Sequence, residues 1–410
     1  MLRALFPRSH RAYEQSCCAE ELEAFGGWLG TAGYSRSSTR GHLFRLRTVL
    51  EHADQASPEA TWSPGQLRER FAVAATSPSR TLHYRATERV YRRFLGDRGR
   101  LHPEIGPRDQ WSRLLDPYRI YLVDVRGLVA STVRQHLATV SDFLHRVLDR
   151  RRSLRDLTSA HIDRYLALKG SEVGRFSLQH TVAQLRSFFR YSLAHDVIRA
   201  PLDHIDTPRT YRGERPPRAL PWPLVQRLLR SINRAGKGGW RDYVILHLMA
   251  HYGLRPSEIA ALRLDSIDWD TKTVRIEQRK TRSALLLPLA SRTLAILRRY
   301  LSTGRPASTH PELFLRVRCP AGPIKHTGIC DLFSKHAERI GLLHNHYSAY
   351  SLRHGFAVRL LQRGVGIKAI GDLLGHRSLE CTQVYLRLDT EMLRAVALPV
   401  PRTRSGRRQP

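Results

Sequence analysis

Three residues near the carboxy-terminal end of the chain have side chains that can act on a phosphate group: Arg353, His376 and Tyr385. An arginine offers two donors to phosphoryl oxygens, a histidine can donate one hydrogen bond, and a tyrosine hydroxyl is a nucleophile. They lie in the stretch SLRHGFAVRLLQRGVGIKAIGDLLGHRSLECTQVY, whose apolar residues recur at helical spacing. Gly364 and Gly375 mark the ends of the two helices that this pattern predicts. Two helices and two turns can therefore bring the three side chains together.

Two further basic residues lie upstream in segments with their own structural signals. Arg255 belongs to HYGLRPSEIAALRLDSID and follows a predicted helix at 240–252. Lys280 belongs to RIEQRKTRSALLLPL. The stretch that begins at SIDWD predicts three short strands, with turns at 270–272 and 278–282. Lys280 is therefore expected at the tip of a β-hairpin.

Taken together, these stretches resemble the carboxy-terminal signature of the tyrosine recombinases, also called the phage integrase family. The matching text is LRHGFA, then LLGH, then a T-x-x-Y that ends at Tyr385. The resemblance covers roughly residues 218–398 and, more weakly, 110–205. The intervals are also near those of the family: 25 residues from Arg255 to Lys280, 23 from Arg353 to His376 and 9 from His376 to Tyr385.

The resemblance implies a reaction that cuts DNA and rejoins it. Tyr385 would attack the phosphodiester and form a 3′-phosphotyrosyl bond. Arg255 and Arg353 would polarise the phosphate and favour the phenolate, Lys280 would protonate the leaving 5′ oxygen, and His376 would donate a hydrogen bond to the phosphate. Because the covalent bond stores the energy of the broken one, no cofactor is expected. No metal is expected either, since acidic residues do not cluster near these motifs.

One position departs from the family pattern. The family usually has a histidine three residues before the second arginine, and here that residue is Tyr350. A tyrosine can donate or accept a hydrogen bond, but its pKa near 10 makes it a poor base at neutral pH. Tyr350 is therefore expected to orient the site. His346 and His354 lie nearby, but neither has the family spacing.

Three functions are compatible with these motifs. The first is a site-specific recombinase or integrase, which would serve a mobile genetic element. The second is a type IB topoisomerase-like enzyme, which would nick and reclose one duplex by the same chemistry. The third is a catalytically impaired DNA-binding protein, which only the tyrosine at position 350 favours. The chain length, the region preceding the signature and the LGH text favour the recombinase.

The composition of the chain also indicates a polyanionic partner. The 410 residues carry a formal net charge of +32, spread along the sequence. Double-stranded DNA is the expected partner, although a ribosomal or chaperone-like protein would tolerate the same charge. Five cysteines show neither metal-ligand nor disulfide spacing, and no apolar run approaches the roughly 18 residues of a membrane span. The chain is therefore expected to be cytoplasmic and to make no contact with a membrane.

The predicted fold is mainly α with a small antiparallel β-sheet, in which helical DNA-binding domains precede a catalytic domain. Helices are predicted at 19–31, 38–53, 63–74, 80–95, 112–125, 131–149, 159–168 and 178–195. The first four resemble the last four at an offset of about 94 residues, which suggests a duplication. The expected domains are an extra helical unit at 1–105, a core-binding SAM-like domain at 109–202, a linker at 203–217, the catalytic domain at 218–398 and a basic tail at 399–410.

The core-binding helices have an apolar face and a basic face. Apolar positions on the second and fourth helices predict the buried side: Leu137, Val140, Phe143, Leu144, Val147, Val182, Leu185, Phe188, Phe189 and Leu193. Four arginines, Arg134, Arg146, Arg186 and Arg190, then point outward. They either contact DNA phosphates or form a solvated basic face.

The resemblance also implies an assembly on DNA. Site-specific recombination joins two duplexes through four protomers, so a homotetramer is expected, or a mixed tetramer with sister recombinases. The apolar segment after Tyr385 would pack either on a neighbouring protomer or on its own core. The extra amino-terminal unit favours a transposon-like element.

Overall fold

The computed structural model describes residues 1–51, 61–75, 77–102, 111–148, 154–211, 214, 217–278, 283–342, 347–376 and 378–388. The described chain is mostly helical and contains one small antiparallel sheet, as predicted from the sequence. By residue contacts it forms two compact units. One combines Met1–Pro7, Gly26–Gly41 and the described part of Arg215–Pro410, and the other combines Arg8–Phe25 and His42–Glu214.

The amino-terminal third forms the four helices that the apolar periodicity predicts, and two short helices that it does not predict precede them. The helices are α1 Leu2–Leu5, α2 His10–Glu14, α3 Ala19–Thr31, α4 Arg36–Glu51, α5 Pro64–Val73 and α6 Pro78–Asp97. The start of α5 has a local cause: the Ser63 hydroxyl accepts a hydrogen bond from the Gln66 backbone N–H, and the Gln66 side chain accepts one from the Ser63 N–H. This reciprocal pair satisfies two of the unpaired donors at the helix start.

A second set of helices follows. Its elements are α7 Ser112–Ile120, continued by a π-helical turn at Tyr121–Val125, then α8 Ala130–Val147, a 3₁₀ turn at Leu154–Asp156, α9 Ser159–Glu172 and α10 Arg175–Ala194. Seven of the ten apolar residues expected inside are fully buried, and Leu137, Val147 and Leu193 are partly buried against them. The helical content is therefore confirmed. The duplication and the domain boundaries remain predictions.

The four arginines expected on the outer face of this set differ in their surroundings. Arg146 forms ion pairs with Asp142 and Glu172, at 2.8 and 2.6 Å. Arg186 is partly buried and donates to the carbonyl of Ile205. Arg134 and Arg190 are exposed. Arg190 also lies 3.9 Å from the carboxylate of Asp203, so three of the four arginines have partners elsewhere in the chain.

The catalytic region surrounds one helix that is buried on nearly all sides. Its helices are α11 Trp222–Arg230, α12 Gly239–Tyr252, α13 Pro256–Ala261, α14 Ser291–Arg299 with a π-helical turn at Tyr300–Gly304, α15 His326–Arg339, α16 Ala349–Leu361, α17 Ile367–Leu374 and α18 Glu380–Gln383. Every residue of α12 from Arg241 to Ala250 is buried. A helix that is apolar around its circumference forms the centre of a core rather than its edge. The elements that hold the functional side chains pack around this helix.

The sheet has the three strands expected from the sequence. Strands β1 Ile267–Asp268, β2 Thr273–Gln278 and β3 Ser283–Pro288 pair antiparallel in that order. Gln278 pairs with Ser283, so four residues join the two strands. Those four residues, with Lys280 among them, lie outside the described residues, as does the basic tail at 399–410.

Two further properties of the described residues bear on function. None of the described helices is both long and apolar enough to cross a membrane. No group of three or more histidine, cysteine or acidic side chains in the same residues is arranged to bind a metal ion.

Candidate active site

The backbone around Arg255 is shaped by the end of one helix and the start of the next. Helix α12 ends at Gly253, whose φ of 64° lies in the left-handed region that favours glycine. Arg255 then caps α13, and its backbone N–H donates to Glu258 Oε2 at 2.7 Å. The Arg255 guanidinium also donates to Glu258 Oε1 at 2.5 Å. The Glu258 side chain is buried, so it fixes the direction of Arg255.

Arg353 projects from α16 into the same place. Its guanidinium donates to the carbonyl of Gly253 at 2.7 Å and to that of Leu374 at 2.6 Å. A terminal nitrogen also lies 3.8 Å from Glu258 Oε2. Burial, together with the neighbouring charge of Arg255, lowers the pKa of Arg353 to about 10, so the side chain stays charged at neutral pH. The site therefore holds two guanidinium groups against one carboxylate.

His376 is presented by a sharp turn after α17. Gly375 has a φ of 61°, and a Cβ at this position would lie 1.9 Å from the Gln278 side chain. His376 Nδ1 then lies 2.8 Å from the Thr382 hydroxyl. Burial lowers the pKa of His376 to about 4, and the charges of Arg353 and Arg255 act in the same direction. His376 is neutral at pH 7 and has one ring N–H to donate.

Tyr385 follows α18 and is only 3% exposed. Its ring packs in a small apolar cluster with Leu361 of α16 and Leu374 of α17. The ring lies nearly parallel to that of His376, with centroids 6.4 Å apart. The phenol oxygen lies 3.1 Å from His354 Nδ1. The hydroxyl of Tyr385 therefore faces a histidine within the site.

The electrostatic surroundings of Tyr385 differ from the expectation. Arg353 and Arg255 lower the pKa of its phenol, as the sequence analysis assumed, but the effect of burial is larger and raises it. The described site therefore keeps Tyr385 as a phenol. A nucleophile that starts as a phenol needs a group to take its proton during attack.

Tyr350 lies at a more exposed position. It is 44% exposed, one helical turn before His354 on α16. Burial of the rest of its ring raises the pKa of its phenol, whereas Arg255 and Arg353 act in the opposite direction. Within the described part of the chain, its hydroxyl has no hydrogen-bond partner.

The predicted site residues thus have three outcomes in the structure. Arg255, Arg353, His376 and Tyr385 come together from four different segments. Tyr350 is near them but makes no hydrogen bond within the described residues. Lys280 cannot be placed, because it lies outside the described residues. Gln278, two residues before Lys280, lies beside the turn that presents His376.

Three residues of the site had no assigned role from the sequence: Glu258, His354 and Thr382. Glu258 stands three residues after Arg255, which is the spacing of a reciprocal helix cap. His354 stands four residues after Tyr350, so both share one face of α16. In the sequence, Thr382 is the threonine of the T-x-x-Y motif, and no other feature of the sequence indicates a role for it. The spacing of a helix cap could have identified Glu258, and the spacing of one helix face could have identified His354.

Comparison with known proteins shows which family the chain resembles. The family model described as "Phage integrase family" matches residues 223–392, and the one described as "Phage integrase, N-terminal SAM-like domain" matches 115–195. A tyrosine recombinase of Pseudothermotoga lettingae is 30% identical over 299 residues, which cover 69% of this chain and 97% of the relative. The chain belongs to the phage integrase family of tyrosine recombinases. It is a tyrosine-type DNA recombinase, and the topoisomerase alternative is not favoured.

Other similarities extend over more of the chain and to solved structures. A Sinorhizobium fredii protein named as an integrase/recombinase, y4rF, is 32% identical over 391 residues, covering 93% of this chain and 91% of the relative. The Tn1549 transposon integrase, solved in complex with a circular intermediate DNA, has a TM-score of 0.54 at 16% identity and covers 68% of this chain and 99% of that chain. At this identity the likeness supports the tyrosine recombinase fold alone.

Proposed function

We propose that this recombinase cuts and rejoins double-stranded DNA at specific sites through a 3′-phosphotyrosyl bond to Tyr385. The observation that supports this most strongly is the pairing of Arg255 and Arg353 with the single buried carboxylate of Glu258, close to the Tyr385 phenol. Among the described residues of the site, these two positive groups and one negative group leave one uncompensated positive charge. A DNA phosphodiester carries one negative charge and matches it.

The arginines act as the electrostatic part of the mechanism. Arg353 uses two of its five N–H groups on backbone carbonyls, which hold it in place before substrate arrives. Donors that are fixed in advance stabilise the charge that develops on phosphoryl oxygens without reorganising during the reaction. Arg255, held by Glu258, would bind the same phosphate from a second direction.

The remaining groups would move protons or hold the phosphate. His376 is neutral, and in the tautomer in which Thr382 donates to Nδ1 the proton on Nε2 would be available to a phosphoryl oxygen. Lys280 would protonate the 5′ oxygen as it leaves, from the hairpin that begins next to Gln278. Tyr350 would contact the bound DNA strand or the arginines from the edge of the site. We propose no role for ATP or metal.

DNA is the partner that agrees with both the chemistry and the charge. The net charge of +32 favours binding to a polyanion, and each phosphate contact by a basic side chain adds a salt-dependent contribution to affinity. The lambda integrase, which has a similar fold with a TM-score of 0.53, was solved as a dimer bound to a core site. For this chain we propose a homotetramer on two DNA sites, or a mixed tetramer with sister recombinases.

We further propose that the protein serves a transposon-like mobile element. The helices that precede the SAM-like region matched at 115–195 favour this setting. The recombination site would then lie in the DNA that flanks the gene, where inverted repeats can be sought. The reaction should join two such sites in the presence of EDTA and without ATP.

Two assays run side by side test this function. In the first, a plasmid with two candidate sites reports recombination, and in the second a supercoiled plasmid with one site reports relaxation. We expect recombinant products that depend on both sites. Relaxation without any exchange of partners would instead support a topoisomerase-like activity.

A further inference from the structure

The side chain of His354 contacts the hydroxyl of Tyr385. Its Nδ1 lies 3.1 Å from the phenol oxygen, which is within hydrogen-bond reach, and the two rings are 5.7 Å apart between centroids. His354 projects from α16, which also carries Arg353 and Tyr350. A packed helix therefore holds this histidine, and the turn after α18 brings Tyr385 to it.

Tyr350 stands where the family usually has a histidine, and a tyrosine cannot accept a proton as a histidine can. Tyr350 has a hydroxyl without a hydrogen-bond partner among the described residues, and a phenol is a weak base at neutral pH. Residues four apart on a helix lie on the same face. His354 therefore brings an imidazole to the same face of α16, one turn further along and next to the nucleophile.

We propose that His354 is the group that accepts the proton of Tyr385 during attack on DNA. This inference rests on the proposed function, because it concerns the first step of the same reaction. The Tyr385 oxygen forms a bond to phosphorus as its proton passes to His354 Nδ1. The bond from phosphorus to the 5′ oxygen breaks, and that oxygen takes a separate proton from Lys280. In religation the 5′ hydroxyl attacks phosphorus and gives its proton back to Lys280. The bond from phosphorus to Tyr385 breaks, and His354 returns its proton to the phenol oxygen.

The charge around His354 suits a transient proton acceptor. Burial and the charge of Arg353 lower the pKa of His354, so the ring is neutral and able to accept a proton at pH 7. A bound phosphodiester offsets the positive charge of the arginines. The imidazolium is therefore easier to form when DNA is present than when the site is empty.

The test uses single-turnover formation of the covalent adduct on a nicked suicide substrate at saturating DNA. His354→Asn keeps a hydrogen-bonding group near the place of Nδ1 but cannot take a proton. General-base catalysis contributes about 10²- to 10⁴-fold, so we expect a loss of at least about 100-fold. Tyr350→Phe is the comparison variant on the same helix face, and we expect it to lose less than about tenfold.

Two chemical substitutions separate proton transfer from simple loss of structure. A fluorinated tyrosine at position 385 ionises at lower pH, so it should restore much of the lost rate in His354→Asn. A substrate with sulfur in place of the leaving 5′ oxygen needs no proton on departure. It should rescue Lys280→Ala but leave His354→Asn slow.

The possible results are distinguishable. If the wild-type protein forms no adduct, the proposed function fails. If the wild type forms the adduct and His354→Asn matches its rate, only the role of His354 is wrong. A slow His354→Asn variant that fluorinated tyrosine does not rescue would assign His354 a structural role and would also overturn the proposal.

Discussion

At the scale of single residues, the site depends on polar partners that hold the reacting groups. Glu258 binds Arg255 and lies close to Arg353, and backbone carbonyls fix Arg353 from two sides. The fully buried Thr382 holds His376. These partners decide which N–H groups face the phosphate, so they should affect rate more than DNA affinity.

The hydroxyl of Thr382 provides a direct check of this view. Thr382→Val keeps the shape of the side chain but removes the partner of His376 Nδ1. A neutral hydrogen bond contributes about 1 kcal/mol, and a loss of about 1.4 kcal/mol at the transition state is tenfold, so adduct formation should slow by about fivefold. Thr382→Ser, which retains the hydroxyl, should recover most of the rate. Equal rates in the valine and wild-type proteins would show that the contact is unimportant.

The sequence could predict that Arg255, Arg353, His376 and Tyr385 would come together, but it could not predict their partners. The spacing of Arg353, His376 and Tyr385 indicated the chemistry because each stands at a helix or turn signal. The contact between His354 and Tyr385 joins residues 31 apart in the chain. It depends on how α16, α17 and the segment after α18 pack, which periodicity alone does not specify. The same holds for the burial that raises the pKa of Tyr385.

At the scale of elements, tight turns bring the site together. The carbonyl of Leu374, the last residue of α17, accepts from Arg353, and Gly375 then turns the chain toward His376. The side chain of Gln278 lies against this glycine, so the end of β2 meets the end of α17. This contact relates the hairpin that contains Lys280 to the rest of the site.

Gly375→Ala should therefore damage both stability and activity. A non-glycine residue at this positive φ costs about 1–2 kcal/mol, and the clash with Gln278 adds to that. Gly364 is a matched control, since its φ is 78° but nothing lies within 4 Å of the Cβ position. We expect urea unfolding to show a larger loss for Gly375→Ala than for Gly364→Ala, and only the former to slow adduct formation strongly. Similar losses in both would contradict the packing argument.

The end of α9 could not be predicted from local sequence signals alone. Helix α9 was expected to end at 168, but it continues to Glu172. Glu172 pairs with Arg146 of α8, and Lys169 pairs with Asp142, which also lies on α8. These ion pairs between helices support the last turn of α9, and its local sequence gives no sign of them. The start of α9 at Ser159 was predicted correctly because Thr158 and His161 form a local cap.

At the scale of the whole molecule, we expect positive charge to contribute strongly to DNA binding. Helix α6 carries Arg85, Arg89 and Arg93 at intervals of four residues, and all three are exposed. Residues at this spacing lie on one helix face. They form a basic row outside the catalytic region, which agrees with the proposal that the amino-terminal unit contacts DNA.

Replacing this row should change affinity without changing chemistry. The triple change of Arg85, Arg89 and Arg93 to Gln should weaken DNA binding and flatten its log–log dependence on salt by up to about 2.7, at about 0.9 for each lost phosphate contact. Arg47→Gln is the control, because Arg47 pairs with Glu51 at 2.6 Å. Affinity measured at several salt concentrations decides the question. An unchanged slope in the triple variant would point to a protein partner for this row.

The most direct test of the account is covalent trapping by the full-length protein. The substrate is a nicked duplex that contains the recombination site, on which a cleaved strand cannot be rejoined. The wild type should form an adduct whose modified peptide contains Tyr385, and Tyr385→Phe should bind the same DNA with equal affinity but form none. An adduct formed by the phenylalanine variant, or one that maps to another residue, would contradict the assignment of Tyr385 as the nucleophile.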